Sequence, residues 1–152
     1  MEASERSPLR PRDWLLLLIA LPGAPQGLDP VRLQKGAFLL AREAGLSPSE
    51  AYSFEPYNYG PMSRPLYGDV ERLCREGLAE RRPVEGYSWG RLKPTERGRD
   101  RARGFGARAD PSTLAHLRRI KHRISAMTFA ELLDDLYERY PEYATRSVFR
   151  RP

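Results

Sequence analysis

Between Ser63 and Leu92 the hydrophobic period of the chain changes once, and no other feature constrains the fold as tightly. Leu66, Val70, Leu73, Cys74 and Leu78 recur at helical spacing, with Gly77 near the end of the run. Directly afterwards, Leu78 to Arg82 and Tyr87 to Leu92 read as two short strands around Pro83-Val84-Glu85-Gly86. Two helices are predicted upstream. Asp13 caps a short one that ends at Leu21, before Pro22 and Gly23. Asp29-Pro30 opens the next, an N-cap followed by proline where a missing N–H costs nothing, and Leu33, Ala37, Leu40, Ala41 and Ala44 form its apolar stripe before Gly45. Three helices followed by a two-stranded ribbon is the order of a winged helix-turn-helix. The expected fold class is therefore mainly α, of α+β type: a winged helix-turn-helix with a two-stranded wing and additional C-terminal helices.

The remaining elements follow from local signals. Ser47-Pro48-Ser49-Glu50 has capping-box spacing and predicts one short turn. Phe54 to Ser63, with two prolines and a glycine among three aromatics, reads as an ordered loop, and Ser63 can cap the third helix. Thr95 opens a charged helix to about Arg103, which Gly104-Phe105-Gly106 breaks. Asp110-Pro111 starts another through about Ser125, and Thr128-Phe129-Ala130-Glu131 is a capping box for the last, ending at Tyr140-Pro141. This divides the chain into a flexible tail over 1–12, a winged-helix core over 13–103, and a C-terminal helical extension over 110–152. The extension either packs on the core or pairs two copies as a homodimer.

Composition narrows the function classes. A length of 152 residues suits one domain with a real core. The net charge of +6 is carried almost wholly by arginine, since Lys35, Lys93 and Lys121 are the only lysines. Arginine's planar fork suits phosphates and carboxylates, although an arginine-rich composition also fits a GC-rich or heat-adapted genome. Cys74 is the single cysteine, so no internal disulfide forms, and its amphipathic setting marks it as a small core residue. The run Trp14 to Leu21 follows Arg6, Arg10 and Arg12 like a leader, but Glu2, Glu5 and Asp13 interrupt the basic stretch. The run is also far shorter than the roughly 20 residues a bilayer requires. The expected setting is cytoplasmic, without membrane contact.

Three segments carry a family resemblance: Leu33-Gln34-Lys35, the stretch Tyr52 to Ser63 containing Tyr59-Gly60-Pro61, and Leu66-Tyr67-Gly68-Asp69-Val70. They resemble the core of the small YwgA-like bacterial proteins and, more distantly, the Panacea-type antitoxin domains. Gly77-Leu78 and the helix start from Thr95 to Gly98 fit the same layout, whereas Met62 stands where relatives often have an aromatic. The resemblance spans about Leu33 to Leu92. It implies a winged-helix-like fold and a binding role, and for the antitoxin branch a protein partner.

Two binding surfaces are candidates. In a duplex-DNA reading the helix from Ser63 to Gly77 enters a major groove, with Arg64, Arg72 and Arg75 on bases or phosphates and Arg81, Arg82, Arg91 and Lys93 on the backbone from the wing. Asp69, Glu71 and Glu76 weigh against it, because exposed carboxylates would meet phosphates. Nine basic residues lie between Arg81 and Arg108 against Glu85, Glu96 and Asp100, and Arg118, Arg119, Lys121 and Arg123 form a second cluster. A protein-partner reading uses Tyr57 and Tyr59, with Gln34 and Lys35 as contacts that the resemblance suggests; Tyr57, Tyr59, Tyr87 and Trp89 can equally stack unpaired bases or simply close the core. Enzymatic readings lack equipment. His116 and His122 are six apart, which is not zinc spacing, and Gly104-Phe105-Gly106 follows no strand. Glu131, Asp134, Asp135 and Glu138 read as a solvated face opposite Phe129, Leu132, Leu133 and Leu136 rather than a metal ladder. The expectation is a non-enzymatic binding module with no cofactor and no metal.

Overall fold

The computed structural model describes residues Pro8 to Phe149, apart from the side chains of Tyr87, Ser88 and Trp89. Helix α1 (Pro11–Ala20) is buried on every side from Asp13 to Ile19. Helices apolar all round belong at the centre of a domain. The neighbours of α1 are accordingly α2 (Pro30–Glu43), α3 (Arg64–Arg75), α4 (Glu96–Arg108), α5 (Pro111–Ala126) and the second strand of the ribbon. The start of α1 corrects the expected tail over 1–12. Leu9 is already in the core, Pro11 opens the helix, and Asp13 lies one turn inside it, where its carboxylate accepts the Arg10 N–H at 2.9 Å. Of the expected tail, Met1 to Ser7 lie outside the described residues.

Several starts follow local chemistry. The Asp29 carboxylate accepts Arg32 N–H at 2.9 Å, Thr95 Oγ1 accepts Gly98 N–H at 3.0 Å, and Asp110 accepts Thr113 N–H at 3.0 Å. At the last helix, α6 (Phe129–Arg139), Thr128 and Glu131 exchange both bonds of a capping box. A single turn at Pro48–Glu50 and another at Pro141–Ala144 complete the helical part.

Two sheets of two antiparallel strands accompany the helices, making the chain mainly helical, of α+β type. The first is absent from the sequence reading. The stretch expected as a loop is a hairpin of β1 (Glu55–Tyr57) and β2 (Gly60–Met62), turning at Asn58-Tyr59, with Gly60 at a φ of +90°. Both strands contain a proline, Pro56 opposite Pro61, a residue type that normally argues against a strand. The second sheet is the ribbon, β3 (Ala79–Val84) and β4 (Tyr87–Pro94). It is longer than expected, because Pro83 sits in a register shift between Arg82 and Val84 and the strands continue to a tight turn at Glu85-Gly86. Leu28, just before α2, bonds both ways to Leu92 on β4, at 3.0 and 2.8 Å.

Helix α4 runs unbroken through Gly104-Phe105-Gly106, correcting the expected break. Phe105 is buried, and Gly106 lies where a Cβ would touch Leu17 and Leu114 at 3.8 Å, so packing outweighs glycine's poor helix propensity. At its other end α4 approaches the ribbon so closely that a Cβ on Gly98 would lie 1.9 Å from the Leu78 carbonyl oxygen. Helix α5 packs against α1 and α2, and α6 against β2. No described helix is long and apolar enough to cross a membrane.

Candidate nucleic-acid interface

The orientation of α3 is set from beneath by α2. Gln34, buried, grips the backbone of residue 63 by both edges: its Nε2 donates to the Ser63 carbonyl at 2.9 Å, and Ser63 N–H donates to its Oε1 at 2.9 Å. One residue on, Lys35 Nζ donates to the Pro61 carbonyl at 2.9 Å. Together the two side chains fasten the end of β2 and the start of α3 onto α2. Burial pushes the Lys35 amine down to about 7, with the charge of Asp29 opposing the shift. Both residues, expected as partner contacts, are instead enclosed and bonded to the chain's own backbone. The expected Ser63 cap is likewise not made, since Ser63 Oγ is buried without a hydrogen-bond partner.

The outward side of α3 presents Arg64, Gly68, Glu71, Arg72 and Arg75, all exposed and spaced i, i+4, i+7, i+8 and i+11, one continuous stripe. The carboxylates that weighed against this helix are each engaged. Asp69 accepts the Tyr52 hydroxyl at 2.7 Å, Glu71 is ion-paired with Arg81, and Glu76 with Arg12 at 3.4 Å. Arg64 lies 3.8 Å from Glu55 and stays largely exposed. The side chains of Arg72 and Arg75 have no ion-pair or hydrogen-bond partner among the described residues. The cancelling count of charges in the sequence thus hides an uneven surface: acids tied down, two arginines open. Gly68, at the middle of the stripe, has nothing within 4 Å of where a Cβ would stand.

The ribbon divides its basic residues. Arg82 and Arg91 are cross-strand partners and Lys93 is two residues further along β4, so these three share one face. There they line a groove with Gln26 and Pro83, and Arg82 also contacts Glu80 at 3.3 Å. Arg81 points to the opposite face, toward α3 and Glu71. The seven residues expected as one surface therefore fall into two groups: Arg64, Arg72, Arg75 and Arg81 around α3, and Arg82, Arg91 and Lys93 on the outer face of the ribbon.

The second basic cluster is dismantled further. Lys121 is buried, its Nζ donating to the Ile19 carbonyl at 2.8 Å and to the Leu21 carbonyl. It closes the C-terminal end of α1, with burial holding its amine down at about 8. Arg123 lies 3.5 Å from both Glu43 and Asp135, leaving Arg118 and Arg119 exposed.

The aromatic segment forms a different surface. Tyr57, Tyr59, Tyr67 and Val148 are the exposed large hydrophobic residues among those described. Tyr59 meets Phe129 edge to face at 5.4 Å, and Val148 N–H donates to the Asn58 carbonyl at 2.9 Å. The side chains of Tyr87 and Trp89 lie outside the described residues. Gln26, Gly68 and Tyr67 were not expected at any site; a glycine inside an otherwise good helix was the one signal the sequence offered. On α6, Asp135 contacts Arg139 at 3.1 Å as well as Arg123. Compared with protein-family models, with curated proteins and with solved structures, the chain finds no match.

Proposed function

We propose that this chain is a cytoplasmic, non-enzymatic winged helix-turn-helix protein, kin to the YwgA-like group, that binds double-stranded DNA with α3 in the major groove. The observation that carries the reading is the state of charge on α3: three carboxylates engaged by Tyr52, Arg81 and Arg12, and Arg72 and Arg75 left open on one stripe. The order of elements supports it, as does the single Leu28–Leu92 bridge, which ties the segment between α1 and α2 to the ribbon. Arg81 links α3 to the ribbon through its ion pair with Glu71. The test is the anisotropy of a labelled random duplex titrated with protein across a salt series. Since Arg64, Arg72, Arg75 and Arg81 can neutralise at most one phosphate each, the log–log salt slope is no steeper than about −4, and shallower for each arginine that contacts a base or stays with Glu71. Arg82→Glu with Arg91→Glu tells whether the outer ribbon face takes part: an unchanged slope confines binding to the α3 side. No binding at low salt overturns the reading.

A second reading, a partner-protein module of the antitoxin or adaptor kind, is favoured by one observation. Among the described residues, the exposed large hydrophobics come from the hairpin, the first turn of α3 and the tail beside Asn58. Tyrosines beside an arginine are common anchors of protein interfaces. Pairing of two copies through α5 and α6 would use their outer sides, since their inner sides pack on α1, α2 and β2.

A further inference from the structure

We infer that α3 is built to select G·C base pairs, and that Glu71, held by Arg81, is a specificity-determining residue. The inference rests on the DNA-binding reading and deepens it. Its starting point is the chemistry missing from the helix. The sequence of α3, Arg-Pro-Leu-Tyr-Gly-Asp-Val-Glu-Arg-Leu-Cys-Arg, contains no Asn, Gln, Ser or Thr. Adenine is read in the major groove chiefly by Asn or Gln, which give and take a hydrogen bond with N6 and N7. This helix has no such side chain on any face. Along the stripe it exposes the guanidinium donors of Arg64, Arg72 and Arg75 and the carboxylate of Glu71, with the Tyr67 hydroxyl to one side. Arg64, at the first turn and beside Glu55, is left to the phosphate backbone. The base-reading groups at the centre are of two kinds, the guanidiniums of Arg72 and Arg75 and the carboxylate of Glu71.

Each kind has one natural partner among base edges. A guanidinium donates both its fork bonds to guanine O6 and N7, and a carboxylate accepts from the N4 amino group of cytosine. Guanine and cytosine are the two halves of one pair, so all three side chains select the same pair.

The Arg81–Glu71 contact makes the carboxylate usable. A free glutamate on a groove-facing helix would be repelled by phosphates and would swing away. Here Arg81 crosses from β3 and binds Oε2 of Glu71, which offsets its charge and fixes its position. Oε1 keeps its lone pairs, and a carboxylate accepts several bonds at once. Glu71 remains about half exposed, so a base edge can reach it. Gly68, one turn before Arg72, leaves the helix bare at mid-stripe and lets its backbone approach a groove floor closely.

The experiment is selection by the full-length protein from a randomised duplex library, followed by titration of the enriched duplex and its single-pair variants. Enrichment of G·C at the contacted steps is expected, with single A·T replacements weakening binding about 10-fold each. Glu71→Gln should change the preference at one position from cytosine to adenine while the guanine positions stay. Arg81→Met should loosen discrimination at that same position and leave the others. Both sites are exposed, and an unchanged thermal midpoint for each variant shows that folding is intact. Salt-dependent binding without a G·C preference, or a Glu71→Gln variant with unaltered preference, overturns the inference while the DNA-binding reading stands. No duplex binding at any salt overturns both.

Discussion

The corner where α2, α5 and α6 meet and the outward side of α3 carry similar residues and use them in opposite ways. At the corner, Glu43 gathers Arg139 at 2.6 Å, Arg123 at 3.5 Å and His116 at 3.7 Å, and Asp135 takes the second side of both arginines. Every charge there faces another, and the group ties three helices together. On α3 the acids are bound to Tyr52, Arg81 and Arg12, while the side chains of Arg72 and Arg75 have no hydrogen-bond or ion-pair partner among the described residues. Arginine at the corner maintains structure; arginine on α3 is open to a ligand. Net charge alone does not distinguish the two, because pairing is a property of geometry.

The comparison breaks most readily at Glu43. Its side chain is 16% exposed, and Arg123 beside it has Nε and one terminal nitrogen enclosed without hydrogen-bond partners. Removing the carboxylate leaves that guanidinium poorly compensated in a partly dry site. Glu43→Ala should cost about 3 kcal/mol in urea unfolding, at the lower edge of the range for breaking a buried pair because the network reaches solvent. DNA affinity should be unchanged at temperatures where the variant is folded. A loss under about 1 kcal/mol would place the corner among ordinary surface ion pairs.

The buried lysines sharpen the contrast from a third region, since their amines donate to carbonyl oxygens rather than to carboxylates. In the folded chain Lys35 gives up its proton near 7, whereas the unfolded chain holds it to about 10.5. Between those values the unfolded state binds more protons, so stability rises with pH across that window, by at most about 1.4 kcal/mol per pH unit. Lys121, held down at about 8, adds to the rise in the upper part. From pH 7 to 9 Lys35 should contribute about 2 kcal/mol and Lys121 about 1 kcal/mol, so the unfolding free energy should increase by roughly 3–4 kcal/mol. Lys35→Met should flatten most of that rise, and a profile unaffected by the substitution would show that Lys35 is not the group responsible.

How far this was readable from sequence depends on the range of the forces. Asp29, Thr95, Asp110 and Thr128 announce their helices because a cap bonds to an amide two or three residues away. The ribbon follows Gly77 for the same local reason. The β1–β2 hairpin was hidden by Pro56 and Pro61, and its anchoring comes from Gln34 and Lys35, more than twenty residues distant. Phe38 lies outside the Leu33, Ala37, Leu40, Ala41 and Ala44 stripe of α2, yet it is fully buried against the rings of Phe54, Tyr140 and Tyr143 from two other segments. Lys121 sits in a basic run that looks uniformly solvated, until α1 ends against it. The candidate site divides likewise: the arginines were visible, but which ones remain open depends on Tyr52, Arg81 and Arg12.

The smallest effect gives the finest discrimination, and it lies at Gly68. A glycine within a helix costs about 0.5–1 kcal/mol relative to alanine, through the extra freedom it loses on folding. Nothing stands within 4 Å of where its Cβ would be, so Gly68→Ala meets no clash and should stabilise the chain by roughly that amount. No packing among the described residues explains the glycine, in contrast to Gly98, where the Leu78 carbonyl forbids a side chain. If α3 lies against a groove floor, the added methyl at the centre of the stripe should weaken duplex binding several-fold while the thermal midpoint rises. A gain in stability accompanied by lower affinity is the signature of a position shaped by its ligand. A gain in stability with affinity intact would move the contact away from the centre of α3, toward Arg75 and the ribbon.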